Sequence, residues 1–475
     1  MRQKRRSQLK NQAGMVAGIL AASMALSVYW LTLAPDINWA HYGVDGGDLI
    51  TAVLTRGNPH PSGYPTYLLL GYLVELIPLW PIAHRFNLFS AMTMAGAVGI
   101  LTLTTHHTAN TTSKNNHVQR LLPAAALSLT FAFSYLVWGQ AIITEVYGLY
   151  LLFCAFLLWA LLQKKAAWLT GSLLGLTITA HPTGIFFLPL ALYKTKRRQW
   201  PTLFFGMLIG LLPFALLPFL SSGDSPVAWG DLRTVSGWWW LVSSQIYRGY
   251  AFSFPPAEWS SRAAEWGQIM GSQFTWAGIP LIILGFVFVK SSRRQTNLWL
   301  LLTAVSFFIF AFFYQTNDAI IFTLPAWLLL SLLLYPAYEK LGWLAFALPL
   351  TLILINFDTN HLKHDHLIRN HTESLLADIP DKAIVETPGD PTIFTLWYFV
   401  YGEEQRTDLI PVDRDLFAFT WYRDRLQHLH PNLQGLEEDN IQRFRQLNHL
   451  NHPYCWATLA QEDLDKHRTY SLSCQ

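Results

Sequence analysis

"TYLLLGYLVELIPLW" (residues 66–80) is apolar enough to suggest a membrane crossing, yet Glu75 and Pro78 interrupt it. A transmembrane helix needs about 20 predominantly apolar residues, and this run is shorter. Its reading decides the topology. If it crossed, every later basic loop would change sides, "KTKRR" (194–198) included. Because Lys and Arg gather in cytoplasmic loops, the run is read as an amphipathic or re-entrant helix on the outer face. Residues 35–85 then form one large outer loop.

Outward from this run the chain is made of apolar blocks. Of its 475 residues 52% are hydrophobic, 15% aromatic and 13% charged, whereas a soluble domain carries about 25% charge. Blocks such as "MVAGILAASMALSVYWLTLA" (15–34) and "TLFFGMLIGLLPFALLPFL" (202–220) are long enough to cross a bilayer. The expected fold class is an all-α polytopic membrane protein. Candidate spans at 15–34, 86–106, 120–138, 146–162, 166–180, 184–193, 201–220, 279–290, 297–313, 319–336 and 341–357 make about eleven transmembrane helices. The clusters Lys114 with Arg120, Lys164 with Lys165, "KTKRR", Lys290 with Arg293 and Arg294, and Lys340 then share one side. The basic start "MRQKRRSQLK" holds the N-terminus on that cytoplasmic side. The apolar run after it is longer than a signal-peptide core and has no small-x-small site before Asp36, so it is read as a retained first helix. The formal net charge of +3 follows from orientation, and nucleic acid is not an expected partner.

This count puts Glu145, His181, the loop 221–278, "NDAI" (317–320) and everything beyond about 358 on the outer side. Residues 1–357 read as a transmembrane domain and 358–475 as a small α/β domain on the outer face. The latter has strand-like "KAIVETPG" (382–389) and helix-like "QRFRQLNHL" (442–450). Cys455 and Cys474 share it and are expected to form a disulfide in an oxidising compartment, while Cys154 lies mid-span and packs.

The polar residues of "YGVDGGDLITAVLTRGNPHPSGYPTYLLLG" (42–71) fall in the outer loop, where water or a substrate can compensate them. "DGGD" (45–48) is expected to turn, because glycine permits positive φ, and "NPHPSGYP" to hold an extended, folded-back path. His60 is either a loop residue or a donor to an anionic group. Glu145, in "WGQAIITEVYGLY" (138–150), sits at the outer end of a span, where an interfacial glutamate can simply snorkel. His181 precedes a helix-breaking proline and can equally be a satisfied cap. The loop 222–252 joins Asp224, Asp231, Arg233 and Arg248 to four tryptophans. An interfacial belt explains the "WWW" run, but arginine among aromatics is also how phosphate or sugar is held. No HExxH or CxxC spacing occurs, so zinc is not expected. A divalent metal ion held by Asp45 and Asp48 stays open. There is no Walker loop and no GxGxxG followed by an acidic residue.

The order of these segments resembles a known family, the bacterial and animal protein O-mannosyltransferase-like membrane proteins of the glycosyltransferase C superfamily. The family pattern looks like Asp-Ser-Gly-Glu/Asp, then Gly-x-x-His-Pro-Pro-Gly-Tyr-Pro, then Arg-x-Asn-Leu-x-Ser-Ala. Here these read "DGGD" (45–48), "GNPHPSGYP" (57–65) and "RFNLFSA" (85–91), followed by "WGQAIITEVYGLY", "SPVAWGD" (225–231) with "IYRGY", and "NDAIIFTLPAW" (317–327). The resemblance covers about residues 15–335. Gly46 stands where the family usually has serine, Ser62 where it often has proline, and the second carboxylate is the shorter Asp48.

The resemblance implies a glycosyltransferase C-like fold with a catalytic outer loop at 35–85. It also implies transfer of a sugar, mannose or a similar hexose, from a polyprenyl-phosphate carrier to a hydroxyl on a protein (Ser/Thr), glycan or lipid acceptor. Such chemistry needs a base for the acceptor, donors for the leaving phosphate and a groove open to lipid. Asp45 is the expected general base, with Asp48 orienting it or sharing a metal. His60 and Arg248 are expected at the phosphate and Glu145 at a sugar hydroxyl or as a second carboxylate, with Tyr64, His181 and Asp318 completing the substrate site. The expected location is the bacterial inner membrane, N-terminus cytoplasmic and C-terminal domain periplasmic or extracellular. The alternative is a transporter or flippase of lipid-linked sugars, for which no paired halves are visible.

Overall fold

The long apolar blocks form helices because a chain in hydrocarbon has to bond its backbone groups within each segment. The computed structural model describes residues 2–110, 117–221, 223–459 and 470–475; Lys114, counted above among the basic positions, lies outside them. Helix α1 (Arg2–Thr32) packs along α4 (Ile82–Asn110), and the segment between them carries the short helices α2 (Gly46–Leu54) and α3 (Pro65–Glu75). With 11 residues, α3 extends about 16 Å, half the thickness of a hydrocarbon core. Its distal side chains Leu73, Leu76, Leu79 and Trp80 are exposed. Residues 66–80 thus do not cross as a helix.

The body continues with α5 (His117–Ala132), α6 (Tyr135–Ala141), α7 (Tyr147–Leu162), α8 (Ala167–Ala180), α9 (Leu188–Lys194), α10 (Trp200–Gly210), α11 (Leu212–Leu220) and α12 (Val235–Val242). It ends with α13 (Trp259–Phe288), α14 (Ser291–Phe312), α15 (Leu324–Leu341) and α16 (Ala347–Asn356). Among the described residues six helical stretches are long and apolar enough to cross a membrane, and α5 with α6, bent by 72°, makes up to seven. The expected eleven included α7 and α8, which are apolar but short; residues 319–356 run as one 38-residue apolar stretch in which Gly342, at φ +61°, separates α15 from α16.

The helices have unlike ends. Lys164 and Lys165 follow α7 and precede α8, Arg293 opens α14, and Lys340 closes α15. At that end Lys194 Nζ bonds Thr296 Oγ1 at 3.3 Å and feels the charges of Lys164 and Arg293, and Arg293 donates to the Thr108 carbonyl. The opposite ends of the same helices carry Tyr147, His181, Phe310 and Phe322, which border a cavity.

The C-terminal part holds α17 (Leu367–Asp378), β1 (Ile384–Thr387), α18 (Asp390–Trp397), β2 (Ile410–Asp413), α19 (Thr420–Leu429), α20 (Ile441–Asn448), β3 (Tyr454–Leu459) and β4 (Tyr470–Cys474). The strand order is β2-β1-β3-β4, with β1 parallel to both neighbours and β3 antiparallel to β4. "KAIVETPG" and "QRFRQLNHL" supply β1 and α20, as their patterns predict. Cys455 and Cys474 face each other across β3 and β4 and are joined as a disulfide, and Cys154 is buried and free.

This part is fastened to the loop 35–64. Arg369 pairs with the buried Asp36, with Glu373 and with Glu403, which also accepts from Tyr398 Oη at 2.6 Å. Asn38 Nδ2 donates to Asp365 Oδ2 at 2.9 Å and the Leu362 N–H to the Thr32 carbonyl at 3.0 Å. Helix α18 lies on α2 so closely that a Cβ on Gly47 would sit 2.3 Å from the Phe394 carbonyl oxygen. The glycines of "DGGD" therefore serve close approach: neither has positive φ, and the stretch opens α2 in place of the expected turn.

Two outcomes follow. Gly47→Ala should force α2 and α18 apart and cost about 1–3 kcal/mol, the usual effect of overpacking, read as a lower unfolding midpoint in detergent. Peptide mapping without reductant should recover the fragments of Cys455 and Cys474 linked and Cys154 alkylatable after denaturation; two free outer thiols would contradict the sheet pairing.

Candidate active site

A cavity of about 490 Å³ opens where the segment 35–85, the cavity ends of α7, α8 and α14, and α18 converge. Asp45, His60, Tyr64, His181, Arg248 and Asp318, six of the eight expected site residues, border it. The remaining two, Asp48 and Glu145, lie behind it.

Asp48 organises the centre. Its carboxylate is wholly buried, a placement that demands hydrogen-bond donors. His60 supplies two, Nδ1 at 2.7 Å and the backbone N–H at 2.9 Å, both to Oδ2. Trp229 Nε1 donates to Oδ1 at 3.1 Å. Both segments are held for this purpose. Gly57 passes so close to residue 227 that a Cβ would lie 1.8 Å from the Val227 carbonyl oxygen. There the Asn58 N–H donates to that carbonyl at 3.1 Å and Asn58 Nδ2 to the Trp229 carbonyl at 2.8 Å. Beyond His60, Gly63 takes φ +81° and carries the chain into α3.

The other imidazole nitrogen, Nε2, lies 3.4 Å from Asp45 Oδ2. Histidine therefore bridges two carboxylates, one sealed and one 34% exposed toward the cavity. Burial alone would lower the imidazole, but the charges of Asp45 and Asp48 outweigh it and push it up to about 9. Desolvation raises Asp45; the His60 charge opposes this, Asp318 and Asp48 add to it, and the result is about 6. A carboxylate can be one-third open to a cavity and still be far from bulk water, so its exposure and its raised proton affinity coexist. At neutral pH the centre is an imidazolium between two carboxylates, with Asp45 basic and accessible.

His181 closes another wall, with its ring among Tyr64, Tyr147, Tyr150 and Phe322. The Thr183 N–H donates to Nδ1 at 3.3 Å, so a neutral ring carries its proton on Nε2. Arg248 is exposed at the rim and has no ion pair among the described residues. Glu145 is 2% exposed and does not border the cavity; its Oε2 has no hydrogen-bond partner among the described residues, and burial, then the Asp45 charge, raise its carboxyl well above the usual range. A direct sugar contact through Glu145 is not available in this arrangement.

Two residues escaped the sequence reading. Trp229 lies in the quoted "SPVAWGD", but nothing in that stretch assigns it a role at the site. Asp390 borders the cavity from the start of α18, and desolvation followed by the Asp45 charge pushes its carboxyl up to about 7. Its signal was the Pro-Gly-Asp-Pro step after a strand, since parallel sheets place ligand groups at the carboxyl ends of strands.

A metal does not suit these residues. Both Asp48 oxygens accept from N–H groups, the His60 ring lies between the two carboxylates, and no group of three His, Cys, Asp or Glu among the described residues is arranged to hold an ion.

Residues 45–203 match the model of the Protein O-mannosyl-transferase TMEM260 N-terminal domain, which begins at Asp45. The Protein O-mannosyl-transferase TMEM260 of Mus musculus is 23% identical over 97% of this chain and 74% of its own length. The chain is thus similar to O-mannosyltransferase-like proteins. The Protein O-mannosyl-transferase tmem260 of Dictyostelium discoideum is 26% identical over 44% of this chain and 28% of its own. An Alpha-(1->3)-arabinofuranosyltransferase of Corynebacterium glutamicum is 26% identical over 36% of this chain and 39% of its own. All three relatives are named as sugar transferases, and the family match spans both carboxylates and the His60 segment.

Asp48→Asn should lower the imidazole midpoint of His60 from about 9 toward the ordinary 6.5, because the sealed negative charge is gone. Histidine-selective isotope labelling and NMR titration in detergent measure it; an unchanged midpoint would show that Asp48 does not govern the ring.

Proposed function

We propose that this protein is a membrane glycosyltransferase that moves a hexose, mannose or a similar sugar, from a polyprenyl-phosphate carrier to an acceptor hydroxyl on the outer side of a bacterial inner membrane. The observation that carries this reading is the joining, in one cavity at the non-basic end of the helices, of an accessible base poised near neutrality and an arginine with no ion pair among the described residues. The relatives named as transferases support the reaction class. The carrier, the sugar and the orientation in the membrane belong to the proposal. So do the roles of the individual residues.

In this reading the acceptor hydroxyl gives its proton to Asp45 as its oxygen attacks the anomeric carbon. The bond from that carbon to the phosphate oxygen breaks, its electron pair leaves with the phosphate, and polyprenyl phosphate is released. The proton departs from Asp45 through the open cavity. His60, kept cationic by Asp48, orients Asp45 and sets its basicity, so that Asp48 is a positioning residue. Arg248 meets the phosphate, whose charge grows as the bond breaks, and the Nε2–H of His181 is a second donor facing the same space. Tyr64, Asp318 and Asp390, which border the same cavity, bond sugar hydroxyls in this reading, and the exposed apolar end of α3 meets the lipid carrier.

Asp45→Asn keeps shape and removes the proton acceptor, so turnover should fall about 10² to 10⁴-fold while the protein still folds. The wild-type profile of kcat/KM should rise as Asp45 ionises near 6 and fall as His60 loses its proton near 9, the limbs being properties of the coupled group. The assay is sugar release from polyprenyl-phosphate donors by purified protein across candidate sugars and acceptors. Equal turnover by wild type and Asp45→Asn would remove Asp45 from the mechanism. Movement of donor across vesicle membranes without turnover would make the protein a transporter.

A further inference from the structure

A second cavity, of about 700 Å³, lies between the loop 221–233 and α19, within the range of natural ligand sites and at a junction between chain segments where such sites concentrate. It stands back to back with the reaction cavity. Asn58 borders the second and His60 the first, and two residues of chain span at most about 7 Å. Trp229 forms the rest of the partition, donating to Asp48 on one side and lying 5.9 Å, centroid to centroid, from Trp421 on the other.

The lining is polar but nearly balanced in charge. Asp231 pairs with Arg233 at 2.8 Å and Asp224 with His428 at 2.9 Å, while Arg425 donates to the carbonyls of Gly223 at 2.6 Å and Ser225 at 2.9 Å. Asp424 is exposed and makes no hydrogen bond among the described residues. An anionic ligand would meet the carboxylates and a cationic one the arginines. A neutral polyol suits both, because each hydroxyl donates and accepts. Trp421, backed by Trp240 and Phe419, adds a rigid aromatic surface of the kind that receives the C–H face of a sugar ring.

We propose that this cavity binds a neutral glycan chain, the part of the acceptor that lies away from the reacting hydroxyl. Its place in catalysis rests on the transferase reading; binding itself does not. The test titrates full-length protein with neutral linear hexasaccharides of mannose, glucose and galactose, followed by tryptophan fluorescence and saturation-transfer NMR. Wild type and Asp45→Asn should bind at least one of them equally, while Asp424→Ala and Trp421→Ala weaken binding tenfold or more. Asp424 is exposed, so its loss leaves the packing intact even if Trp421→Ala folds poorly. No binding by any hexasaccharide, binding indifferent to Asp424→Ala, or tighter binding of a Ser/Thr-rich peptide would each overturn the proposal. Glycan binding that depends on Asp424 without donor turnover would leave the cavity assigned and the transfer reading refuted. Turnover without glycan binding would do the reverse.

Discussion

The sealed carboxylate of Asp48 is the constraint to which the surrounding structure answers. A charge without solvent has to be met by donors of fixed position, and this one draws them from two distant segments, His60 and Trp229. Satisfying it requires residues 57–61 to lie against 225–230, which in turn requires a glycine at 57. Together with Asp45 the same carboxylate raises the proton affinity of His60, and the ring in turn steadies Asp45. A demand for solvation deep in the fold thereby becomes control of a basic group at the cavity.

The polar ends of the helices show why much of this was legible in the sequence. Basic residues at the ends of α7, α14 and α15 and aromatic or histidine residues at the other ends are written along the chain, and their alternation needs no tertiary knowledge. Six expected site residues meet in one cavity because each lay in a segment with composition unusual for its surroundings. The shortness of the run 66–80 was likewise visible from Glu75 and Pro78. The number of crossings was less legible, since α7 and α8 are apolar without being long, and hydropathy does not separate a short span from a buried helix.

The contribution of the C-terminal part was hidden because it depends on contact between segments more than 300 residues apart. Gly47 reads as half of a turn until α18 is laid on it, and Asp390 reads as a surface residue until Asp45 stands opposite. Glu145 failed in the other direction. Its sequence setting suggests a rim, whereas the bonds of the backbone of residue 145 with Ser90 draw it into the packed body.

The fastening of the last quarter of the chain to the first outer loop also bears on how the molecule comes into being. Asp390 and Trp421 are made after every apolar stretch, while Asp45 and His60 are made before most of them. Until residues near 369 and 390 reach Asp36 and Gly47, the early loop holds its charges without the wall that desolvates them. A chain interrupted before residue 390 therefore carries the carboxylates but not the proton affinities that the finished wall confers, and chemical competence arrives only after α18 has been made.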